Sequence, residues 1–183
     1  MRTLAITQNV TVDGSIELLG DWFDPQGQAD TEDLLAELHR QDERADGFLV
    51  GRRTFEDLRG YWPGRTDDPT GISAYLDRVQ KYVVSSTLGD PGWQRTEVLA
   101  GDAVARVREV KERAGRDVVV TGSIALCHAL IEAGLVDEFR LFVYPVVQGR
   151  GRRLFPDGVP LSLRLLESRS FRSGVTLSRY ATG

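Results

Sequence analysis

Two periodicities of hydrophobic and polar residues alternate along the chain and predict its secondary structure. Short runs of apolar and β-branched residues predict strands at 3–10, 47–51, 81–86, 117–121, 136–147, 161–168 and 175–180. Apolar residues that recur at three- and four-residue intervals predict helices at 31–44, 54–58, 72–79, 104–114 and 124–133. Stretches rich in Gly, Pro and Asp predict loops, including one over 18–30 with aromatic anchors, one over 64–71, and one that contains Gly89, Pro91 and Gly92.

The order of these elements indicates the fold class. Strands and helices alternate through the first 135 residues, which predicts right-handed crossovers and a parallel sheet. The last third is mostly strand, and its final two runs are spaced as a hairpin. We therefore expect an α/β protein with a central, mainly parallel sheet flanked by helices and an antiparallel C-terminal hairpin. The length suits one domain, 1–183.

Composition narrows the classes of protein that the chain can represent. A net charge of −4 argues against a nucleic-acid partner, and no apolar run approaches the ~20 residues that span a bilayer. Met1 leads directly into a strand-like run, so we expect no signal peptide. With Cys127 as the single cysteine, no internal disulfide can form, and we expect a cytoplasmic protein. The two histidines and this cysteine lack the spacing of a metal site.

The candidate chemistry lies where predicted strands end, because ligands of open α/β sheets bind at the carboxyl ends of strands. Gly122-Ser123 follows a strand and opens a helix, where free amides and the helix dipole suit a phosphate. Three other strand ends carry glycine, hydroxyl or arginine side chains: Gly51-Arg52-Arg53-Thr54, Ser85-Ser86-Thr87 and Gly149-Arg150-Gly151. Their recurrence predicts a nucleotide cofactor site, with Thr54 and Ser123 as helix caps.

The usual dinucleotide fingerprint, with several glycines in one turn after the first strand, is absent, so a dinucleotide would have to bind by another fold. The chain resembles the dihydrofolate-reductase-like superfamily, and most closely the stand-alone relatives of the riboflavin biosynthesis reductase domain. The resemblance covers nearly the whole chain and rests on five blocks in order: 12–16, 48–55, 81–87, 121–123 and 134–155.

The resemblance implies NADPH as cofactor. It would be held by residues at three strand ends: Gly51, Arg52, Arg53, Thr54, Ser85, Ser86, Thr121, Gly122, Ser123, Ile124, Ala125 and Leu126. Arg53 or Lys81 is the candidate partner of the 2′-phosphate, since a dianion needs a fixed cation. Relatives often have Gly-Gly where this chain has Gly122-Ser123, and the serine hydroxyl adds a donor and a helix cap.

The implied reaction is hydride transfer to a nitrogen heterocycle or its ribosylamino adduct, as in riboflavin synthesis. By the same resemblance, the catalytic residue is Asp13, in the Asp-Gly turn after the first strand. The candidate substrate-binding residues are Val12, Asp13, Trp22, Phe23, Tyr144 and Gly149. Folate reductases place a carboxylate on the first helix, but here Glu37 is expected to be a solvated residue, which disfavours dihydrofolate reduction. A catalytically inactive nucleotide-binding module of the same fold stays open as an alternative.

The strand-rich tail predicts a homodimer. Its apolar side chains would leave an edge or a face of the sheet wet in a monomer: Leu161, Leu163, Leu165, Leu166, Val175 and Leu177.

Overall fold

A computed structural model of the protein describes residues 1–24 and 30–183. The strands are β1 (Leu4–Thr11), β2 (Ala45–Gly51), β3 (Gln80–Val84), β4 (Thr96–Leu99), β5 (Asp117–Val120), β6 (Glu138–Tyr144), β7 (Leu163–Ser170) and β8 (Thr176–Thr182). The helices are α1 (Glu32–Arg44), α2 (Arg52–Tyr61), α3 (Ile72–Arg78), α4 (Ala103–Glu112) and α5 (Ile124–Glu132). Part of the predicted loop over 18–30 lies outside the described residues.

The described strands form one eight-stranded sheet with the order β4-β3-β2-β5-β1-β6-β8-β7. Every pair from β4 to β6 is parallel, whereas β8 is antiparallel to both β6 and β7. The predicted fold class is therefore confirmed, including the antiparallel hairpin. The sheet puts the carboxyl ends of β1, β2, β3, β5 and β6 along one edge, where the candidate site residues follow.

Two differences from the predicted elements have local causes. Strand β4 lies where only a loop was predicted. The strand was missed because it has only four residues, it follows the loop of Gly89, Pro91 and Gly92, and three of its residues are only half-buried. The strand predicted over 136–147 covers only Glu138–Tyr144. It stops before Pro145, which has no amide hydrogen to continue a ladder.

The core lies on both faces of the sheet. On one face, α4 and α5 pack against side chains such as Ile6, Leu49 and Phe139. On the other face, α2 and α3 cover Phe48, Val50 and Val83, and α1 covers Phe142 and Tyr144. Strand register puts these two clusters on the same face, with the middle strands between them.

No helix among the described residues is long and apolar enough to cross a bilayer.

Candidate functional site

The middle of the sheet is partly uncovered between α1 and α2. Thr7 and Asn9 on β1 and Val119 on β5 are half-buried on this face, whereas Ile6, Gln8 and Val10 on the opposite face are buried. Helix α1 covers β6 and helix α2 covers β2, so neither covers β1 and β5 fully. We call this opening, with its floor of Thr7, Asn9 and Val119, the central groove.

Two helix N-termini lie next to each other at the carboxyl edge of the sheet. Ser123, which precedes α5, accepts a hydrogen bond from the Gly51 amide through Oγ at 2.9 Å. The Ser123 hydroxyl also bonds to Thr54 Oγ1 in the first turn of α2 at 3.0 Å, and the Ser123 amide donates to the same oxygen at 3.1 Å. This pair of hydroxyl side chains therefore ties the start of α5 to the start of α2.

The tie corrects the predicted caps. The Ser123 side chain does not cap α5, and Thr54 does not cap α2, because each hydroxyl is used for the contact between the helices. Helix α2 begins at Arg52, with Gly51 in the N-cap position. Gly122 and Ser123 both have positive φ, of 57° and 47°, and a Cβ on Gly122 would lie 3.1 Å from Thr54 Cγ2. A side chain at position 122 would thus be strained in its backbone and crowded against Thr54.

The amides that point toward a phosphate differ from those predicted. The Gly122 amide donates to Gln8 Oε1 at 3.3 Å and the Ser123 amide to Thr54, so both are occupied. The first amides of α5, at Ile124, Ala125 and Leu126, have no acceptor within the helix and none elsewhere among the described residues. An anion at this edge would therefore meet the first turn of α5 and not the bend before it.

The side chains at positions 124–126 take different surroundings. Leu126 is buried in the core, and Ile124 packs against the same core cluster, so only their backbone amides can serve a cofactor. Ala125 is exposed, and Thr121 is half-buried where β5 ends.

Cations are available at α2 but not at β3. Arg53 is exposed and has no ion pair within the described part of the chain, and Arg52 approaches only Glu56, at 3.7 Å. Lys81 is wrong as a candidate for the 2′-phosphate, because it is fully buried and its Nζ donates to the Leu76 and Val79 carbonyls. Of the two predicted partners of the 2′-phosphate, only Arg53 therefore stays a candidate.

The two serines after β3 have separate environments. Ser85 Oγ accepts hydrogen bonds from the amides of Thr87 and Leu88, at 3.2 and 3.0 Å, and so holds its own turn. Ser86 is exposed beside it.

Asp13 lies in the turn after β1, and its hydrogen bonds connect this turn to the turn after β6. One carboxylate oxygen accepts from Thr11 Oγ1 at 2.6 Å and the Gln148 amide at 3.1 Å, and the other from the Gly149 amide at 2.7 Å. These hydrogen bonds, the Thr11 hydroxyl foremost, lower the pKa of Asp13 to about 2. Asp13 is therefore ionised at neutral pH, and the Gly149 amide is already occupied.

The predicted aromatic residues come together where β6 ends. Trp22 and Phe23 are half-buried and pack on Tyr144, with ring centroids 5.4 and 5.7 Å from its ring. Trp22 Nε1 donates to Gln148 Oε1 at 2.7 Å. Tyr144 is buried, so it supports the other two rings more than it presents a surface of its own. Val12, whose amide donates to the Val146 carbonyl at 2.8 Å, is exposed.

Sequence reasoning missed several side chains that build the site. Gln8 holds the Gly122 bend from inside the core, and Gln148 joins Trp22, Ser15 and the backbone of residues 17 and 150. Thr7 and Asn9 form the groove floor. The available signal was the mostly polar run Thr7-Gln8-Asn9-Val10-Thr11. In a sheet that is covered on both faces, a strand at these positions would be almost entirely apolar.

Two other features bear on the site. Glu37 is not solvated as predicted: it is buried, and its carboxylate pairs with Arg40 and Arg169. A cavity of about 580 Å³ lies on the opposite face of the sheet from the central groove, between Val10, Leu141 and the segment 153–160. Helix α5 covers this same face, and the cavity lining includes none of the residues at the two helix N-termini.

The mainly parallel sheet, its antiparallel C-terminal hairpin and the helix N-termini at its carboxyl edge define a protein of the dihydrofolate-reductase-like fold class. The chain belongs to the RibD C-terminal domain family, whose model matches residues 2–177. The resemblance found in the sequence is thereby confirmed.

Known relatives agree with this assignment. The uncharacterized protein YyaP of Bacillus subtilis is 32% identical over 181 residues, covering 95% of this chain and 92% of its own length. A pyrimidine reductase-like protein from Corynebacterium diphtheriae has a similar structure, with a TM-score of 0.68 at 18% identity, and the match covers 100% of this chain and 92% of that one.

A bifunctional enzyme from Thermotoga maritima, a diaminohydroxyphosphoribosylaminopyrimidine deaminase/5-amino-6-(5-phosphoribosylamino)uracil reductase, has a TM-score of 0.67 at 17% identity. That match covers 100% of this chain and 57% of the Thermotoga chain. At these identities the two structures show the shared fold.

Proposed function

We propose that the protein is an NADPH-dependent reductase that transfers hydride to a nitrogen heterocycle or its ribosylamino adduct. The observation that carries the proposal is the meeting of two helix N-termini, fixed by Ser123 and Thr54, at the edge of the central groove. Unoccupied first-turn amides and the positive ends of two helix dipoles suit the diphosphate of a dinucleotide. The Thermotoga protein with a similar fold is named as a reductase of a ribosylaminopyrimidine, which supports the same proposal.

The residues present fit this cofactor. The first-turn amides of α5 and α2 would bind the diphosphate, and Arg53 would pair with the 2′-phosphate. Ser86 offers an exposed hydroxyl just after β3, the strand next to β2. NADPH would supply the hydride. The chain would position the substrate on Thr7 and Asn9 and use the aromatic pair Trp22 and Phe23 to keep water from a flat ring.

The state of Asp13 changes the role proposed for it. Hydrogen bonds that lower its pKa to about 2 keep Asp13 ionised at neutral pH, which disfavours a role as the acid that protonates a reduced substrate. Its three hydrogen bonds instead fix the Gln148–Gly149 turn against the end of β1. We propose Asp13 as a positioning residue whose loss disturbs the substrate side of the groove.

The test is a titration of the purified protein with NADPH and NADH, followed by nicotinamide fluorescence. Saturable binding with a preference for NADPH is expected. Absence of saturable binding of either cofactor would remove the proposal. Oxidation of NADPH in the presence of pterin or ribosylaminopyrimidine substrates then separates a reductase from an inert module.

The inert nucleotide-binding module is the second candidate, because Asp13 is ionised at neutral pH and offers no proton. Burial raises the pKa of another carboxyl, Asp42, to about 6, but Asp42 is near Arg78 and His39 and is not one of the residues of the groove floor. Binding of NADPH without turnover of any such substrate would favour this module. Dihydrofolate reduction is disfavoured, since Glu37 on α1 is held in ion pairs with two arginines.

A further inference from the structure

A second cavity lies between the C-terminal half of α1 and strands β6, β7 and β8. Its volume is about 210 Å³, and its charged lining consists of four arginines and two glutamates: Arg40, Arg44, Arg140, Arg179, Glu37 and Glu167. Asp117 and Glu138, which pair with Arg140 and Arg179, nearly balance the remaining charge, so an anion would be attracted by unpaired arginine groups and not by a net charge. Arg140 is near the amino end of β6, whereas the proposed cofactor site is at the carboxyl ends of the strands. We call this cavity the arginine pocket.

Arg140 supplies a buried donor that the protein does not satisfy. It is 1% exposed; its Nε bonds to Glu138 and its Nη2 to Asp117 and Glu138. Its Nη1 is buried and has no hydrogen-bond partner within the described residues. A charged donor left unpaired in a protein interior is strongly unfavourable, so this nitrogen calls for an acceptor in the pocket.

Gln41 supplies a buried acceptor in the same pocket. It is 8% exposed, and its Nε2 donates to Glu37 Oε1 at 3.0 Å. That bond fixes the orientation of the amide, because the carboxylate oxygen requires a donor. Gln41 Oε1 then has no partner among the residues that the structure describes. The pocket therefore presents both an unpaired cationic donor and an unpaired neutral acceptor.

Arg44 supplies a charge at the mouth of the pocket. It is exposed and makes no ion pair within the described residues, whereas Arg40 pairs with Glu37, and Arg179 pairs with Glu138 and Glu167. An anion that enters the pocket could thus form an ion pair with Arg44 without breaking an existing ion pair.

We propose that the arginine pocket binds free hydrogen phosphate. The oxygens of this ion would accept from Arg140 Nη1 and from Arg44, and its hydroxyl would donate to Gln41 Oε1. Sulfate has the same shape but no hydroxyl near neutral pH, so it leaves Gln41 unpaired. This recognition uses none of the residues assigned to NADPH, and the pocket meets the central groove only where Arg140 pairs in register with Thr7.

Isothermal titration calorimetry at constant ionic strength tests the proposal, with inorganic phosphate, sulfate and methyl phosphate as the probes. At about pH 8, inorganic phosphate keeps one hydroxyl, whereas methyl phosphate is a dianion without one. We expect phosphate to bind with a Kd on the order of 1 mM or below. Sulfate and methyl phosphate should bind about tenfold more weakly, since they lack the bond to Gln41. Equal binding of all three ions would overturn the assignment.

Variants place the binding in the pocket. Arg44→Gln should weaken phosphate about tenfold, and Gln41→Met should lower phosphate to the affinity of sulfate. Both changes leave the Arg140 ion pairs in place, and circular dichroism will show that the variants fold. Arg108→Gln, at an exposed position on α4 without an ion pair in the described part of the chain, is the matched control and should have no effect.

The helix N-termini are the rival location for a phosphate. If Arg53→Ala abolishes phosphate binding while Arg44→Gln retains it, the ion binds at α2 and α5 and the arginine pocket is wrong. If binding is lost in Arg44→Gln alone, the pocket is supported whether or not NADPH binds elsewhere.

Discussion

At the residue scale, Ser123 combines a useful hydroxyl with an unfavourable backbone conformation. Its oxygen accepts a hydrogen bond from the Gly51 amide and bonds to Thr54. Its φ of 47°, however, is in the left-handed region, which is unfavourable for residues other than glycine. The strain persists because the hydroxyl joins two helices. This residue therefore trades backbone strain for the alignment of the candidate diphosphate site.

Replacing Ser123 by Ala and by Gly separates these two contributions. Ser123→Ala keeps the strain and loses the hydroxyl, so we expect it to lower the free energy of unfolding by about 2 kcal/mol. Ser123→Gly also loses the hydroxyl but relieves the strain, and should be the more stable of the two by about 1 kcal/mol. Urea denaturation measures both. Wild-type stability in Ser123→Ala would show that the contact between the helices contributes nothing.

Asp13 gives a prediction of pH dependence. Its pKa is lowered from 3.8 to about 2 in the folded protein, so its ionised form stabilises the fold above about pH 4, and that contribution is lost as the pH falls toward 2. Asp13→Asn should therefore be less stable than wild type at pH 7, with a smaller loss of stability on acidification.

Urea midpoints measured from pH 7 to pH 2 check this expectation. Asp57→Asn serves as the control, because this exposed carboxylate on α2 has no hydrogen bond or ion pair within the described residues. Parallel pH curves for wild type and Asp13→Asn would contradict the role given to the three hydrogen bonds.

At the scale of elements, the start of α2 brings a dipole, unpaired amides and Arg53 to one place. The sequence predicted which strand ends come together in the candidate site, because glycine, hydroxyl and arginine residues follow them directly. It could not predict which amides stay available: the Gly122 and Ser123 amides are taken by Gln8 and Thr54, which are distant in the chain. Likewise Lys81 follows a strand pattern, but only the packing of α3 shows that its ammonium is buried.

Arg53→Ala tests the 2′-phosphate contact. If Arg53 pairs with that phosphate, the substitution should weaken NADPH about tenfold, or ~1.4 kcal/mol, and leave NADH unchanged. Fluorescence titration gives both dissociation constants, with Arg108→Ala as the control of equal charge change. Equal weakening of the two cofactors would place Arg53 at the diphosphate instead, and no change in either would remove it from the site.

At the scale of the whole molecule, the sheet has two unlike edges. Strand β4 at one end is four residues long, whereas β7 at the other end has eight residues and is largely exposed. Of the tail residues expected at an interface, Val175 and Leu177 are buried in the core and Leu163 packs against it, so they are not available. Leu161, Leu165 and Leu166 stay exposed, at 39%, 54% and 41%. The fold as a whole therefore leaves one long edge strand with exposed leucines on and beside it.

We propose that this edge joins two copies of the chain, because a long strand with unpaired backbone groups and exposed leucines pairs readily with another strand. Sedimentation velocity should show a dimer at micromolar concentration. The double variant Leu165→Lys with Leu166→Lys should sediment as a folded monomer, since two charges on each copy would face each other across the edge. Val147→Lys, at an apolar position exposed by 71% but outside β7, should remain a dimer. A wild-type monomer, or a double variant that still dimerises, would show that β7 is not the interface.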